Sequence, residues 1–502
     1  MPSDIAFPAS NFWTSQENSR QNAWNVNFST GNVNNNNKYN TNAVRAVSAL
    51  TDQDKADWIA AFDDCCRHKY TSLQCTMYRM EMEDDLFVLA AEVLVLRTYK
   101  PTTSSAFGVR HPTLREIFAA NFRDRIVQHW ITKRINPLFE ERFVSMGNVS
   151  YNCRENFGTL AAVLRVQEEI ARMSAGSAHT VIGIMDISSF FMTIDREVAW
   201  DLLKEFITEN VGSIRESFPN TDIDILLWVT EVTLKHNPQL DCRRCGDLNF
   251  WNEIAPNKSL FNAPPGVGLP IGNITSQLVA NFVLSFLDEF IIDECRPLGA
   301  THIRFVDDIV IIARRERDVA HLRSRIKWYL EEKLHQTLHP RKFYIQAANK
   351  GARFVGHYLK PGRIYTSNRT IGNLYDALLK MENICRDIIT TGPSIGRAYR
   401  LEKLVQSANS IFGFMSHTAS RNVRIKITKL LEYFWKVCYF QNLLTIKIRK
   451  AYKLSSVFIK QEYENYIRIN ARETLGLFHK DPPAGPHHQL QPRRDVPRRL
   501  GV

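Results

Sequence analysis

Two stretches of the chain carry strongly apolar runs interrupted by carboxylates. In Arg304-Phe305-Val306-Asp307-Asp308-Ile309-Val310-Ile311-Ile312-Ala313, adjacent aspartates sit between apolar segments rich in Ile and Val. That pattern predicts strand, tight turn, strand. In Val181-Ile182-Gly183-Ile184-Met185-Asp186-Ile187 an apolar strand runs directly into an Asp. A short turn bearing Phe190 and Phe191 comes next, and Asp195-Arg196-Glu197 predicts the opening of a helix. Past residue 371 the period changes. Leu374–Ile389, Arg400–Met415 and Arg424–Leu444 space their apolar residues by three and four, which predicts helices, with Gly392-Pro393 as punctuation. Tyr433, Phe434, Trp435, Tyr439 and Phe440 read as core of that helical part rather than as platforms for stacked bases.

The carboxylates change the picture most. An Asp pair at a hairpin tip is ordinary turn chemistry when solvated. A third carboxylate, Asp186, at the end of a matching strand gives the pair another use. Crowding like charges is costly unless a cation neutralises them. Asp186, Asp307 and Asp308 are therefore candidate oxygen ligands for two Mg²⁺ ions, a pair able to activate a 3′-hydroxyl and stabilise a leaving pyrophosphate.

Further blocks stand in a fixed order. Asp186-Ile187-Ser188-Ser189-Phe190-Phe191 precedes Gly268-Leu269-Pro270-Ile271-Gly272-Asn273-Ile274-Thr275-Ser276-Gln277, and Phe305-Val306-Asp307-Asp308 comes next. Leu338-His339-Pro340-Arg341-Lys342 and Gly351-Ala352-Arg353-Phe354-Val355-Gly356-His357-Tyr358 continue the series. Upstream lie Pro112-Thr113-Leu114-Arg115-Glu116-Ile117 and Ser150-Tyr151-Asn152-Cys153-Arg154. Over roughly residues 55–420 this ordered set resembles a reverse transcriptase. Its flavour is that of diversity-generating retroelements and the related bacterial antiphage defence enzymes. Ile271 stands where retroviral enzymes carry Gln, a feature the family links to low copying fidelity, and Phe305 stands where many relatives carry Tyr.

The resemblance implies an α+β, right-hand polymerase: a small N-terminal appendage over 1–50, fingers and a palm with an antiparallel sheet over 51–370, a basic helical thumb over 371–480 and a disordered basic tail over 481–502. It implies RNA-directed DNA polymerisation with two Mg²⁺ ions, for which Mn²⁺ can substitute. Asp186, Asp307 and Asp308 would be catalytic and hold metal, with Ile187 lending its backbone carbonyl. Arg115, Arg154, Phe191, Gly272, Gln277 and Lys342 would meet the nucleotide, Phe191 as an aromatic gate beneath the sugar and Phe190 turned to the core. The residues directly after Arg154, Glu155-Asn156-Phe157-Gly158, depart from the basic continuation usual in the family. The implied partners are dNTPs, a DNA product and an RNA template, which a non-coding RNA could supply. A homo-oligomer or a partner reverse transcriptase is compatible with the resemblance. A diversity-generating enzyme is the alternative within the class, and a catalytically silent RNA-binding scaffold the alternative outside it.

Charge sharpens the division of the chain. Of 502 residues, those from 371 onward hold 22 Lys and Arg against 10 Asp and Glu, a surplus equal to the whole net charge of +12. A basic C-terminal third suits a nucleic-acid backbone, although a plain soluble helical domain has the same composition. No apolar run approaches the ~18 residues of a membrane span, and no signal pattern opens the chain. Nine scattered cysteines point to reduced thiols and a cytoplasmic location. Cys242-Arg243-Arg244-Cys245 has knuckle spacing but no second pair nearby.

The first fifty residues stand apart. Between Asn22 and Asn42, ten of 21 positions are Asn, interleaved with Trp24, Phe28 and Tyr39. With Phe12-Trp13, Gly31-Asn32-Val33 and Val44-Arg45-Ala46-Val47, the stretch resembles the end of the lectin-like proteins that diversity-generating retroelements mutate. Three readings stand side by side: a flexible arm, a small β-ribbon on the polymerase body, or a segment whose amides and aromatics touch nucleic acid in the cleft.

Overall fold

The computed structural model describes residues 11–19, 22–27, 33–34 and 46–460, apart from 68, 70–72, 81, 111–112, 176–178, 443 and 459. Before residue 46 the description is of backbone alone. In chain order the strands are β1 Asn11–Ser19, β2 Asn22–Asn27, β3 Val33–Asn34, β4 Ser104–Val109, β5 Arg115–Ala119, β6 Val181–Ile187, β7 Cys242–Arg244 and β8 Thr301–Phe305. Then come β9 Asp308–Ala313, β10 Leu338–Ala347, β11 Ala352–Phe354, β12 His357–Lys360, β13 Arg363–Thr366, β14 Cys438–Gln441 and β15 Thr445–Ile448. The backbone of the Asn-rich segment forms an antiparallel sheet, β1-β2-β3. The rest of that segment, Phe28 and Tyr39 included, and the tail expected over 481–502 lie outside the described residues.

The chain divides into two compact units, Met1–Tyr365 and Thr366–Val502. The centre of the first is an antiparallel sheet ordered β10-β6-β9-β8. Its middle strands are apolar on both faces because both are covered. With strand period two, Val181, Met185, Ile187, Ile309, Ile311 and Ala313 join one core. Ile182, Ile303, Val310 and Ile312 join the other. The larger core is roofed by the helices Phe122–Ser145, Arg196–Glu209, Ile274–Cys295 and Glu316–Lys333. Gly183 is required there, since a Cβ would sit 2.3 Å from Val319 Cγ1. The smaller core packs the helix Thr159–Ala175 and the hairpin β11–β12.

The helix expected from Asp195 does form over Arg196–Glu209, with the Asp195 carboxylate accepting from the Glu197 and Val198 amides. A separate sheet, β5-β4-β7, carries the Arg115 strand. Cys242 opens β7, so this cysteine motif is spent on a strand parallel to β4.

The second unit confirms two of three expected helices, as Asn368–Thr391 and Ile395–Ser416. The third, expected over Arg424–Leu444, is overturned. A helix Arg421–Thr428 stops, a single turn forms at Phe434–Val437, and the chain enters the β14–β15 hairpin. Two polar side chains from the other helices cause the break. The Glu382 carboxylate accepts from the amides of Glu432, Tyr433 and Phe434 at 2.7–3.0 Å, a capping arrangement. The Asn409 amide brackets Ile446, accepting from its N–H at 2.6 Å and donating to its carbonyl at 3.0 Å. The aromatics split accordingly: Phe434 is buried, while Trp435 and Tyr439 stay about two-fifths exposed.

Candidate active site

The β8–β9 connection is a two-residue turn, Val306-Asp307. Such turns need positive φ at the first residue to match the twist of the strands. Val306 supplies φ 57°, a costly angle for a β-branched side chain that the surroundings must enforce. Arg304 does so: its Nη1 donates to the Val306 carbonyl at 3.1 Å. The rest of its guanidinium grips Asp288 of the helix Ile274–Cys295, Nη2 at 2.5 Å and Nε at 2.8 Å. His302 lies 3.2 Å from the same carboxylate. Burial would raise the Asp288 carboxyl, but Arg304 and His302 outweigh it and pull it down to about 2. The ion cluster is fully buried and sits under the turn.

Strand register then assembles the acids. Asp186 on β6 is the direct cross-strand partner of Asp308 on β9, and the shared period puts both on one face. Asp307 occupies the turn, its carbonyl accepting from Ile187 N–H at 3.3 Å. Burial first, and then the charges of Asp307 and Asp186, push Asp308 up to about 7. Burial and the Asp186 charge raise Asp307 as well, against its own amide, Lys342 and Arg115. Like charges directly opposed are destabilising, so this tip lacks positive charge.

Lys342 is the cation that touches it, donating from Nζ to Asp186 Oδ2 at 2.6 Å. It sits where the β10–β6 register slips between Leu338 and Phe343, beside Pro340 on an edge strand, where a bulge can re-aim a side chain. Burial opposes the charge, but the Asp186 hydrogen bond and all three aspartates together raise the Lys342 ammonium above its usual range. Its side chain is 59% exposed, so the pair is worth no more than about 1 kcal/mol and is readily exchanged for another cation. The donor set of three carboxylates is hard oxygen, as divalent cations of the Mg²⁺ type prefer. Ile187 has its side chain buried, leaving only its backbone to the site. Among the described residues no three His, Cys, Asp or Glu side chains are already gathered as a metal cage.

The remaining expected residues divide into those left open and those spent on the fold. Arg115 opens β5 as an exposed side chain whose charge acts on Asp307. Phe191 is half-buried on the turn Phe190–Thr193, edge-on to the buried Phe190 at 5.6 Å between centroids. Gln277 is exposed on the first turn of Ile274–Cys295, its Oε1 3.6 Å from Cys153 Sγ. Gly272 is needed for close approach: at φ 124°, a Cβ would lie 2.9 Å from the Phe118 carbonyl. Its block braces two elements, since Ile271 O accepts from Phe118 N–H and Asn273 Oδ1 from Ala120 N–H. On its other side, Gly268 and Leu269 N–H donate to Ile194 and Phe191 carbonyls at 2.8 and 2.7 Å.

Arg154, expected to meet the nucleotide, has its donors committed within the protein. It is 6% exposed, and its Nε, Nη1 and Nη2 donate to Glu140, the Ser150 carbonyl and Asn148 at 2.9, 2.9 and 2.7 Å. Its guanidinium also lies over Phe157 at 3.9 Å. The Ser150-Tyr151-Asn152 block before it is structural too. It runs beside β8, with Tyr151 N–H donating to Arg304 O at 3.0 Å and Ser150 Oγ bonded to Asn281 at 2.7 Å.

Sequence reasoning gave no role to Arg304, Asp288 or Asn281. A signal existed for the first of these: a lone Arg inside an apolar strand demands a buried partner, whereas Asp288 is one of four acids on its helix and nothing local marks it out.

Residues 110–359 match the family model described as reverse transcriptase (RNA-dependent DNA polymerase). No curated protein matches the chain. Among solved structures, apo telomerase from Candida tropicalis is similar over 66% of this chain and 62% of its own, at 9% identity and a TM-score of 0.37. Telomerase from Candida albicans, in complex with a TWJ fragment of telomeric RNA, is similar over 66% and 56%, at 11% identity and a TM-score of 0.33. The chain thus spans less than two thirds of the length of these telomerases.

Proposed function

We propose, for a chain that carries a reverse transcriptase domain and with it the nucleotidyltransferase class of RNA-directed DNA polymerases, that nucleotide addition takes place at Asp186, Asp307 and Asp308. One observation carries the reading: two strands converge three carboxylates on a tip where Asp308 is pushed up to about 7 by burial and by its neighbours. Folding such repulsion into a protein makes sense where cations join the site in use.

Asp186, Asp307, Asp308 and the Ile187 carbonyl would hold two Mg²⁺ ions, or Mn²⁺ in their place. When bound, these supply activation of the 3′-hydroxyl and stabilisation of the departing pyrophosphate. The protein's own groups do the rest. Lys342 releases Asp186 and offers its ammonium to the triphosphate as a point charge or proton donor. Arg115, free on the Asp307 side, takes the phosphates through its planar fork. Phe191 closes the floor beneath the sugar and excludes a 2′-hydroxyl. Gln277 presents an exposed amide to the nucleotide or template, and Gly272 keeps that wall against β5.

The biology inferred from the resemblance is antiphage defence in a bacterial cytoplasm, with a product of low complexity or one not fully dictated by RNA. A diversity-generating enzyme uses the same site. A silent scaffold has no physical need for three clustered carboxylates, which favours catalysis. The test is incorporation of labelled dNTPs by the full chain, with and without RNA and with and without a chelator, then sequencing of the product and of the co-purified nucleic acid. Chelator-sensitive DNA synthesis is expected. RNA binding without any synthesis would favour the scaffold.

A further inference from the structure

The segment between the helices Ile223–Lys235 and Ile274–Cys295 carries the Cys242–Cys245 pair near its start and the Gly268 block at its end, and the stretch between them, with no motif of its own, reaches the gate turn. It holds a short helix Phe250–Glu253 and two tight turns, Pro256–Lys258 and Leu260–Asn262. We propose that this segment is a wall of the nucleotide site, and that Glu116 and Asn257 are the positioning residues that fix it against the Phe191 turn. The proposal rests on the polymerase reading of Asp186, Asp307 and Asp308.

Glu116 is the deep anchor. It stands directly after Arg115 on β5 and is fully buried, and its carboxylate collects three donors from the segment. Trp251 Nε1 donates at 2.8 Å, Ser259 Oγ at 2.7 Å and the Leu260 amide at 2.8 Å. A buried carboxylate needs such partners, and all three described ones come from a stretch of ten residues. Arg244 lies over Phe261 at 4.1 Å and Trp251 at 5.1 Å, closing the same stretch from outside. Leu260 thereby packs with Phe118 and Met192 in a cluster against which Phe191 also rests.

Asn257 is the outer anchor. Its Nδ2 donates to Ser189 Oγ at 2.9 Å. Ser189 stands three residues after Asp186 and directly before Phe190 and Phe191, with φ 49° in the left-handed region. A residue held at that angle depends on its neighbours to stay there. The segment thus ties Arg115, through its strand neighbour, to the turn that carries the gate. A structural strut would do no more than hold the fold together. The end placed on Ser189 gives this one a means to set how tightly the gate closes on a sugar.

The experiment is single-nucleotide incorporation by the full chain, reading KM, kcat and the dNTP-to-rNTP ratio beside the melting temperature. Asn257 is exposed, so Asn257→Ala should fold. It should raise KM for dNTP by about three- to tenfold, the size of one lost hydrogen bond, and lower sugar discrimination, with less change in kcat. Ser189→Ala should do the same, and the double variant should be no worse than either single one. Glu116→Gln places an NH₂ against a donor and should show the same kinetic change more strongly, with some loss of stability. Should it fail to fold, the Asn257 and Ser189 variants decide alone. A folded Asn257→Ala with wild-type KM and sugar ratio, or singles whose effects simply add, would overturn the proposal. A wild-type chain that adds no nucleotide at all would overturn the polymerase reading and this inference with it.

Discussion

The turn that carries Asp307 and the turn that carries Phe191 are held in opposite ways. Val306-Asp307 is fixed from within its own sheet: Arg304 of β8, anchored on Asp288 of one helix, grips the Val306 carbonyl, and Ile187 of β6 donates to the Asp307 carbonyl. The turn after β6 borrows its bonds from three separate stretches, 336–337, 269 and 257. Ser188 N–H donates to the Thr337 carbonyl, Gln336 Nε2 to the Thr193 carbonyl, Leu269 N–H to the Phe191 carbonyl, and Asn257 to Ser189. The first arrangement suits groups whose charges must meet at one point. The second can be adjusted piece by piece without moving a carboxylate. In the proposed function, chemistry is lodged in the rigid half and selection in the assembled half.

Removing the anchor of the rigid half should have the largest effect. Asp288→Ala leaves Arg304 charged and buried without its partner, a loss of about 3–5 kcal/mol. Urea unfolding checks it, and a near-native midpoint would break the contrast. Arg154 and Arg115 sharpen it next. Arg154→Ala strands the acceptors of Glu140, Asn148 and Ser150 and should cost about 2–3 kcal/mol of stability while leaving KM for dNTP near wild type. Arg115→Ala should do the reverse. Equal effects from both would erase the distinction between buried and open arginines.

Acid tests the same cluster without a mutation. Asp288 is drawn from an ordinary 3.8 down to about 2 in the folded chain. A carboxyl depressed on folding stabilises above its unfolded value and loses that stabilisation as pH falls through the folded one. About 2 kcal/mol should therefore disappear between pH 4 and pH 2, and the loss should be absent from Asp288→Asn. Denaturant midpoints across that range measure it. In the assembled half, Phe191→Ala should raise ribonucleotide relative to deoxynucleotide incorporation by about tenfold, near 1.4 kcal/mol, in a folded protein. An unchanged ratio would make Phe191 an ordinary core residue.

Legibility in the sequence split along the same divide. Apolar strands ending in Asp186 and Asp307-Asp308 announced the central sheet and its tip, because a strand buried on both faces has little freedom of composition. The helix start at Asp195 was legible from its cap. The internal bonds of Arg154 were not legible, since nothing local tells whether an arginine's donors are satisfied at home or left for a ligand. The third helix after residue 420 failed for a similar reason. Its spacing was helical, but Glu382 and Asn409, tens of residues earlier, end the helix and brace a hairpin instead. The anchoring roles of Glu116, although it stands in a quoted block, and of Asn257 were invisible, since each acts through a partner more than 60 residues away.

The central claim is that Asp186, Asp307 and Asp308 form one catalytic centre, and the most direct measurement is primer extension by Asp307→Asn beside the wild-type chain, with circular dichroism on both. Asn keeps the shape of the turn residue and removes its charge. Extension should fall below detection while the spectrum and melting temperature stay native. Normal extension by a folded Asp307→Asn chain would contradict the account.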